Sequence, residues 1–128
     1  MASTPKFASE ARIGIGAISS ANTNRDGTGT IVDVLVGVAA NTRVERVIVQ
    51  AIGTTTAGMV RLFLHNGTAW FLYREIPIVA ITPSATVTAF RDEVLTPDLI
   101  PPSTSWKLGA APHNAESFNV IALGGDLT

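Results

Sequence analysis

Cysteine is absent from the 128 residues, which excludes a disulfide framework and any thiol chemistry. Charge is scarce: Asp, Glu, Lys and Arg make up 15% of the chain, against about 25% in an average soluble domain. The net charge of −1 creates no long-range field of either sign, so a nucleic-acid partner is not indicated. Residues 1–12 (MASTPKFASEAR) lack the apolar core of about 7–15 residues that a secretory signal needs. No apolar run approaches the roughly 18 residues of a membrane span, so a membrane partner is not indicated either. Helical periodicity is missing from every window of about ten residues or more. A small domain this short of charge has a surface of Ser, Thr, Ala and Gly, or a surface covered by partners.

The chain is instead filled by apolar-polar alternation, the period of two that puts successive side chains on opposite faces of a sheet. The clearest case is Thr30–Val38, with Val32, Val34, Val36 and Val38 on one face. Further strands are expected at Arg12–Ser19, Thr42–Ile52, Met59–His65, Thr68–Ile76, Thr86–Leu95, Thr104–Ala110 and Glu116–Leu123. Asn66-Gly67 between two of them predicts a hairpin with a type I′ turn. Residues 20–29 (SANTNRDGTG) and 53–58 (GTTTAG) are dense in turn formers and read as loops. Pro97, Pro101 and Pro102 bar residues 96–103 from a central strand, because proline lacks the backbone donor.

Eight strands with turns at this spacing imply an all-β fold, an eight-stranded antiparallel β-sandwich. A jelly roll is preferred over an immunoglobulin-like sandwich because two four-stranded sheets use the strand count. The first eleven residues are polar, hold one large apolar side chain, Phe7, and read as an extended N-terminal arm. The organisation expected is an arm at 1–11 and a sandwich domain at 12–128.

Nothing in the chain assembles a catalytic kit. His65 and His113 have no second ligand at metal spacing and read as exposed loop histidines. Gly14-Ile15-Gly16 is no phosphate loop, since neither a third glycine nor a helix follows it; its glycines mark close packing or a bend. Asp92 and Glu93 are adjacent and point to opposite faces of a strand, so they cannot pair as acid and base. Trp70, Phe71 and Tyr73 form either core and interface or a platform on which a sugar stacks. Arg43, Arg46, Arg61, Arg74 and Arg91 are dispersed and suit salt bridges to Glu45, Glu75, Asp92 and Glu93. No enzyme activity and no cofactor are expected; a cupin-like metal site would need clustered His and Glu.

The proline-rich turn, then Ser105-Trp106-Lys107-Leu108, Glu116-Ser117-Phe118-Asn119-Val120 and Ala122-Leu123-Gly124-Gly125-Asp126, resemble segments of small tailed-phage structural proteins. The run from Arg46 to Tyr73, with its Asn-Gly hairpin, is similar to the same group. Over residues 30–127 the chain resembles the capsid cement or decoration proteins with a jelly-roll fold. The resemblance implies a virion protein, assembled in the host cytoplasm, that clamps major capsid subunits from outside the head. It also implies self-association as a dimer or trimer, and it carries no catalytic residues. The contacts expected with capsid or subunit are Phe7 in the arm, Asn22, Arg25 and Asp26 in the first loop, and Pro97, Leu99 and Pro101. The alternative expectation is a carbohydrate-binding or fibre- or tail-associated jelly-roll module, with Trp70, Tyr73 or Trp106 against the ring.

Overall fold

The computed structural model describes residues 8–38 and 41–127. Its strands are β1 (Ala8–Ile18), β2 (Val32–Val36), β3 (Thr42–Ala51), β4 (Gly58–His65), β5 (Trp70–Ile78), β6 (Arg91–Leu99), β7 (Lys107–Pro112) and β8 (Phe118–Leu127). They pair antiparallel in two four-stranded sheets, ordered β1-β8-β3-β6 and β2-β7-β4-β5. β1 pairs β8, β2 pairs β7, β3 pairs β6 and β4 pairs β5, as if one long hairpin were wrapped around the core. The expected antiparallel β-sandwich is therefore observed.

The core lies between the sheets and is filled from their inward rows. β3 supplies Val44, Val47, Val49 and Ala51, β4 supplies Val60 and Leu62, and β8 supplies Phe118, Val120 and Ala122. Two bulges help decide which residues reach it. One in β3, between Val44 and Arg46, shifts the register so that Val44 and Val47 both point inward. The other interrupts β2 between Asp33 and Leu35, so adjacent Val34 and Leu35 are both buried while Val36 is 41% exposed. The unbroken four-valine face expected for Thr30–Val38 is thereby corrected; a bulge adds a residue to one strand and reverses the alternation beyond it.

Other differences arise at strand ends. β1 starts at Ala8 rather than Arg12, pairing Ala8 with Leu127 and Ala11 with Gly125, so the last four residues expected in the arm are sheet. Met1–Phe7, including Phe7, lie outside the described residues. Thr86–Phe90 is not strand; the sixth strand instead runs through Pro97 to Leu99. β6 is an edge strand, where the missing donor of Pro97 costs no ladder bond. The Asn66-Gly67 connection is four residues long and not a type I′ turn: Gly67 has φ of 96° but Asn66 is not in the positive-φ region. Asn66 shapes it instead, its Oδ1 accepting from the amides of Thr68 and Ala69 at 3.0 and 3.1 Å.

Gly14 and Gly16 bring β1 against β2, where the two sheets meet. A Cβ on Gly14 would strike the Val34 carbonyl and the Leu35 side chain; one on Gly16 would lie 2.9 Å from the Asp33 carbonyl. The close packing expected of this glycine pair is borne out. Arg12 adds a bond across the same seam, Nη2 donating to the Val36 carbonyl at 2.6 Å.

Candidate interaction surfaces

The two outer faces of the sandwich differ. On the β2-β7-β4-β5 sheet, the chain between β1 and β2 crosses the outside and covers it. Arg61 and Phe63 of β4 therefore project outward yet are only 1% and 0% exposed. Arg61 Nε donates to Glu75 Oε2 at 2.9 Å, and its Nη1 donates to the Asn22 carbonyl at 3.2 Å. Both terminal nitrogens face His113 Nδ1 at 3.2 Å. Glu75 also takes Arg25 Nε at 2.8 Å, and the two arginines, Arg25 first, hold its carboxyl below the usual range. His113 is thus partly buried as the acceptor of a buried guanidinium, which corrects its reading as an exposed loop histidine.

Asn22 organises the covering loop from beneath. It is 5% exposed; its Nδ2 donates to the carbonyls of Thr28 and Thr30 at 2.9 and 3.0 Å, and its Oδ1 accepts from the Asn24 amide at 3.0 Å. Gly29 passes directly over that amide with φ of 85°, a path that a side chain would block. Asp26 Oδ1 accepts from the Thr28 hydroxyl and amide, and these bonds lower the pKa of its carboxyl. Asn24, Arg25, Asp26 and Thr28 face solvent on a loop whose backbone is already fixed. Of the contacts expected here, Arg25 and Asp26 are displayed, whereas Asn22 is enclosed and acts as the loop's internal brace.

Trp70 lies on the same outer face, seated on Gly109, where a Cβ would come within 2.6 Å of its ring. His65 meets it edge-on with centroids 4.9 Å apart, and Lys107 Nζ lies 5.2 Å from its ring centre. His65 Nδ1 also accepts from the Gly67 amide at 3.0 Å, so this histidine too is partly buried and bonded. Tyr73 packs against the core while Phe71 is 55% exposed, so the three aromatic residues of β5 do not form one platform.

The proline segment lies at the end of the sandwich where β1 begins. Ala8 pairs with Leu127, the Leu127 amide donates to Asn41, and the neighbouring Thr42 amide donates to the Pro101 carbonyl at 3.1 Å. Leu99 and Pro101 are buried and anchor this segment; Pro97 and Pro102 are exposed.

The outer face of the β1-β8-β3-β6 sheet is bare. Its cross-strand rows are Ile13–Leu123–Arg46–Leu95 and Ile15–Ile121–Ile48–Glu93. Ile13, Ile15 and Leu95 are 64%, 62% and 67% exposed. Ala11 and Ala17 extend the apolar strip along β1. An open hollow of about 440 Å³ lies in this face, with Ile13, Leu95, Leu123 and Arg46 among its walls. Arg46 and Glu93 pair at 3.2 Å, as Arg61 and Glu75 do on the other sheet, so two of the five dispersed arginines serve salt bridges expected of them; Arg74 and Arg91 donate instead to the Leu95 carbonyl and to Gln50 Oε1.

Among the described residues, no three His, Asp or Glu side chains cluster as a metal site. The bare apolar face was missed by sequence reasoning, although its signal, Ile13 and Ile15 alternating with glycine on one strand, was legible. No protein-family model matches the chain, and no curated protein is similar to it.

Proposed function

We propose that the chain is a structural virion protein, a capsid cement or decoration protein that holds major capsid subunits of a phage head by non-covalent contacts. The strand order β1-β8-β3-β6 facing β2-β7-β4-β5 supports reading the sandwich as a jelly roll, with two wrapped four-strand units. One observation carries the functional reading: the root of the arm, Ala8, shares an end of the sandwich with the anchored proline segment through Leu127, Asn41, Thr42 and Pro101. A terminal segment and a rigid loop side by side are what a clamp needs to span two neighbouring subunits. The loop carrying Arg25 and Asp26, braced by Asn22, adds a second pre-shaped contact. Pre-shaping lowers the ordering cost of association, and a ligand that binds only the assembled shell stabilises it by mass action.

The test is to sediment particles from the native source and count copies of this chain per major shell subunit by quantitative mass spectrometry. One copy per few shell subunits supports the cement reading. A handful per particle transfers the chain to a tail or fibre, and a wholly soluble chain removes the virion reading. Deleting Met1–Phe7, which leaves β1 whole, is expected to weaken particle binding while the circular dichroism stays that of the intact chain. Undiminished occupancy would take the arm out of the mechanism.

A further inference from the structure

We infer that the bare face of the β1-β8-β3-β6 sheet is covered by a second copy of this chain, in a two-fold symmetric, face-to-face dimer. The opposite outer face lies under its own loop, which buries Arg61 and Phe63. β1 abuts β2 at Gly14 and Gly16, and β6 carries Pro97 and has its Leu95 carbonyl occupied by Arg74 Nη1 at 3.1 Å. Added-strand pairing at these edges is therefore disfavoured, whereas the sheet face displays Ile13, Ile15 and Leu95, each more than 60% exposed.

Its chemistry complements itself. A two-fold axis across the strands, between the Ile13 and Ile15 rows, sets each row against the other row of the partner. Ile13 then meets the second copy's equivalent of Ile15, and Leu123 that of Ile121. Arg46 comes beside the second copy's equivalent of Glu93, so each cation has an anion within its own chain and another across the interface. A net charge of −1 per chain sets up little repulsion between copies. This is an isologous contact, in which one patch serves both subunits. The area is adequate: four strands about 4.8 Å apart and roughly 30 Å long span about 600 Å² in projection. Side-chain relief brings that toward the ~800 Å² per partner of a standard interface.

The inference rests on this face alone and stands or falls apart from the virion reading, which particle sedimentation decides. Sedimentation equilibrium of the purified full chain is expected to give a mass of two chains. Ile15→Glu places a charge in the contact twice and is expected to weaken association by about a hundredfold or more. The site is 62% exposed in the single chain, so unchanged circular dichroism and melting temperature should accompany the loss. Ile13→Glu, at a residue 64% exposed in the single chain, serves as a second variant should Ile15→Glu fold poorly. Because the chain lacks cysteine, mixing Ile13→Cys with Ile15→Cys chains and adding a short thiol cross-linker reads the register directly; the mixed pair is expected to exceed either self-pair. A mass of one chain or of three, a dimer untouched by both charge variants, or self-pairs outnumbering mixed pairs would overturn the proposal.

Discussion

The Arg61 guanidinium and the His113 imidazole are held with Nδ1 of the histidine 3.2 Å from both Nη1 and Nη2. Arginine has only donors, so Nδ1 accepts and the ring proton resides on Nε2. The cation is 1% exposed and is satisfied from three sides by Glu75, Asn22 and His113. Removing it leaves the Asn22 carbonyl and His113 without their donor and opens a space under the loop. Arg61→Met is expected to lower unfolding free energy by about 2–4 kcal/mol, read from urea denaturation. Arg25→Ala, on an arginine 59% exposed, should cost no more than about 1 kcal/mol. Equal losses in the two variants would contradict the assignment of Arg61 as the anchor.

Acid should weaken the same network. Glu75 has its pKa lowered in the folded chain by Arg25 and then Arg61. A carboxylate with a depressed folded pKa stabilises the fold above its unfolded pKa and loses that contribution as pH falls through the folded value. Stability is therefore expected to be level through neutral pH and to decline below the ordinary glutamate range. In Glu75→Gln the starting stability should be lower and the acid decline shallower. An acid limb of the same steepness in both proteins would assign the loss to other carboxylates.

Glycines of this chain divide by what surrounds them. A methyl group on Gly14 would enter the Val34 carbonyl and Leu35, whereas Gly53 has nothing within 4 Å of its hypothetical Cβ. Gly14→Ala is expected to cost about 1–3 kcal/mol or more through overpacking. Gly53→Ala is expected to be neutral or stabilising by up to about 1 kcal/mol, because it restricts the unfolded chain. Thermal melts of the two variants should move in opposite directions or differ widely; similar shifts would refute the close approach of β1 to β2.

The sandwich was legible because its signal is local. Alternation along Met59–His65 survives in the observed strand, since a strand needs only its own period of two. The bulges at Asp33/Leu35 and Val44/Arg46 were not legible, because each is imposed by a partner strand distant in sequence. The same holds for His113, whose partner Arg61 lies 52 residues away: a turn sequence says where the chain bends and nothing of what it bends against. Of the contacts expected from sequence, Arg25 and Asp26 do sit on an exposed loop, while Leu99 is core and Pro101 an anchor. Loop composition marks where polar residues collect, but exposure is decided by which of them brace the backbone.

Asn22 makes that distinction measurable. Its side chain spends three bonds on the backbone of its own loop, at 2.9, 3.0 and 3.0 Å, while being 5% exposed. Asn22→Ala removes all three and leaves the carbonyls of Thr28 and Thr30 without this donor, an expected cost of about 1–3 kcal/mol. The loss should be local first: amide exchange of residues 23–30 should accelerate more than that of β3 and β8, because the loop carries little of the core. Asp26→Ala, at an exposed residue, should leave exchange elsewhere unchanged. If the loop touches a capsid subunit, both variants weaken particle binding, but for different reasons. Asn22→Ala raises the ordering cost, and a synthetic restraint on the loop should restore affinity; Asp26→Ala removes a contact group as well as its bonds to Thr28, so a restraint should restore affinity only in part. An Asn22→Ala chain with unaltered loop exchange would show that the brace is not what holds this loop.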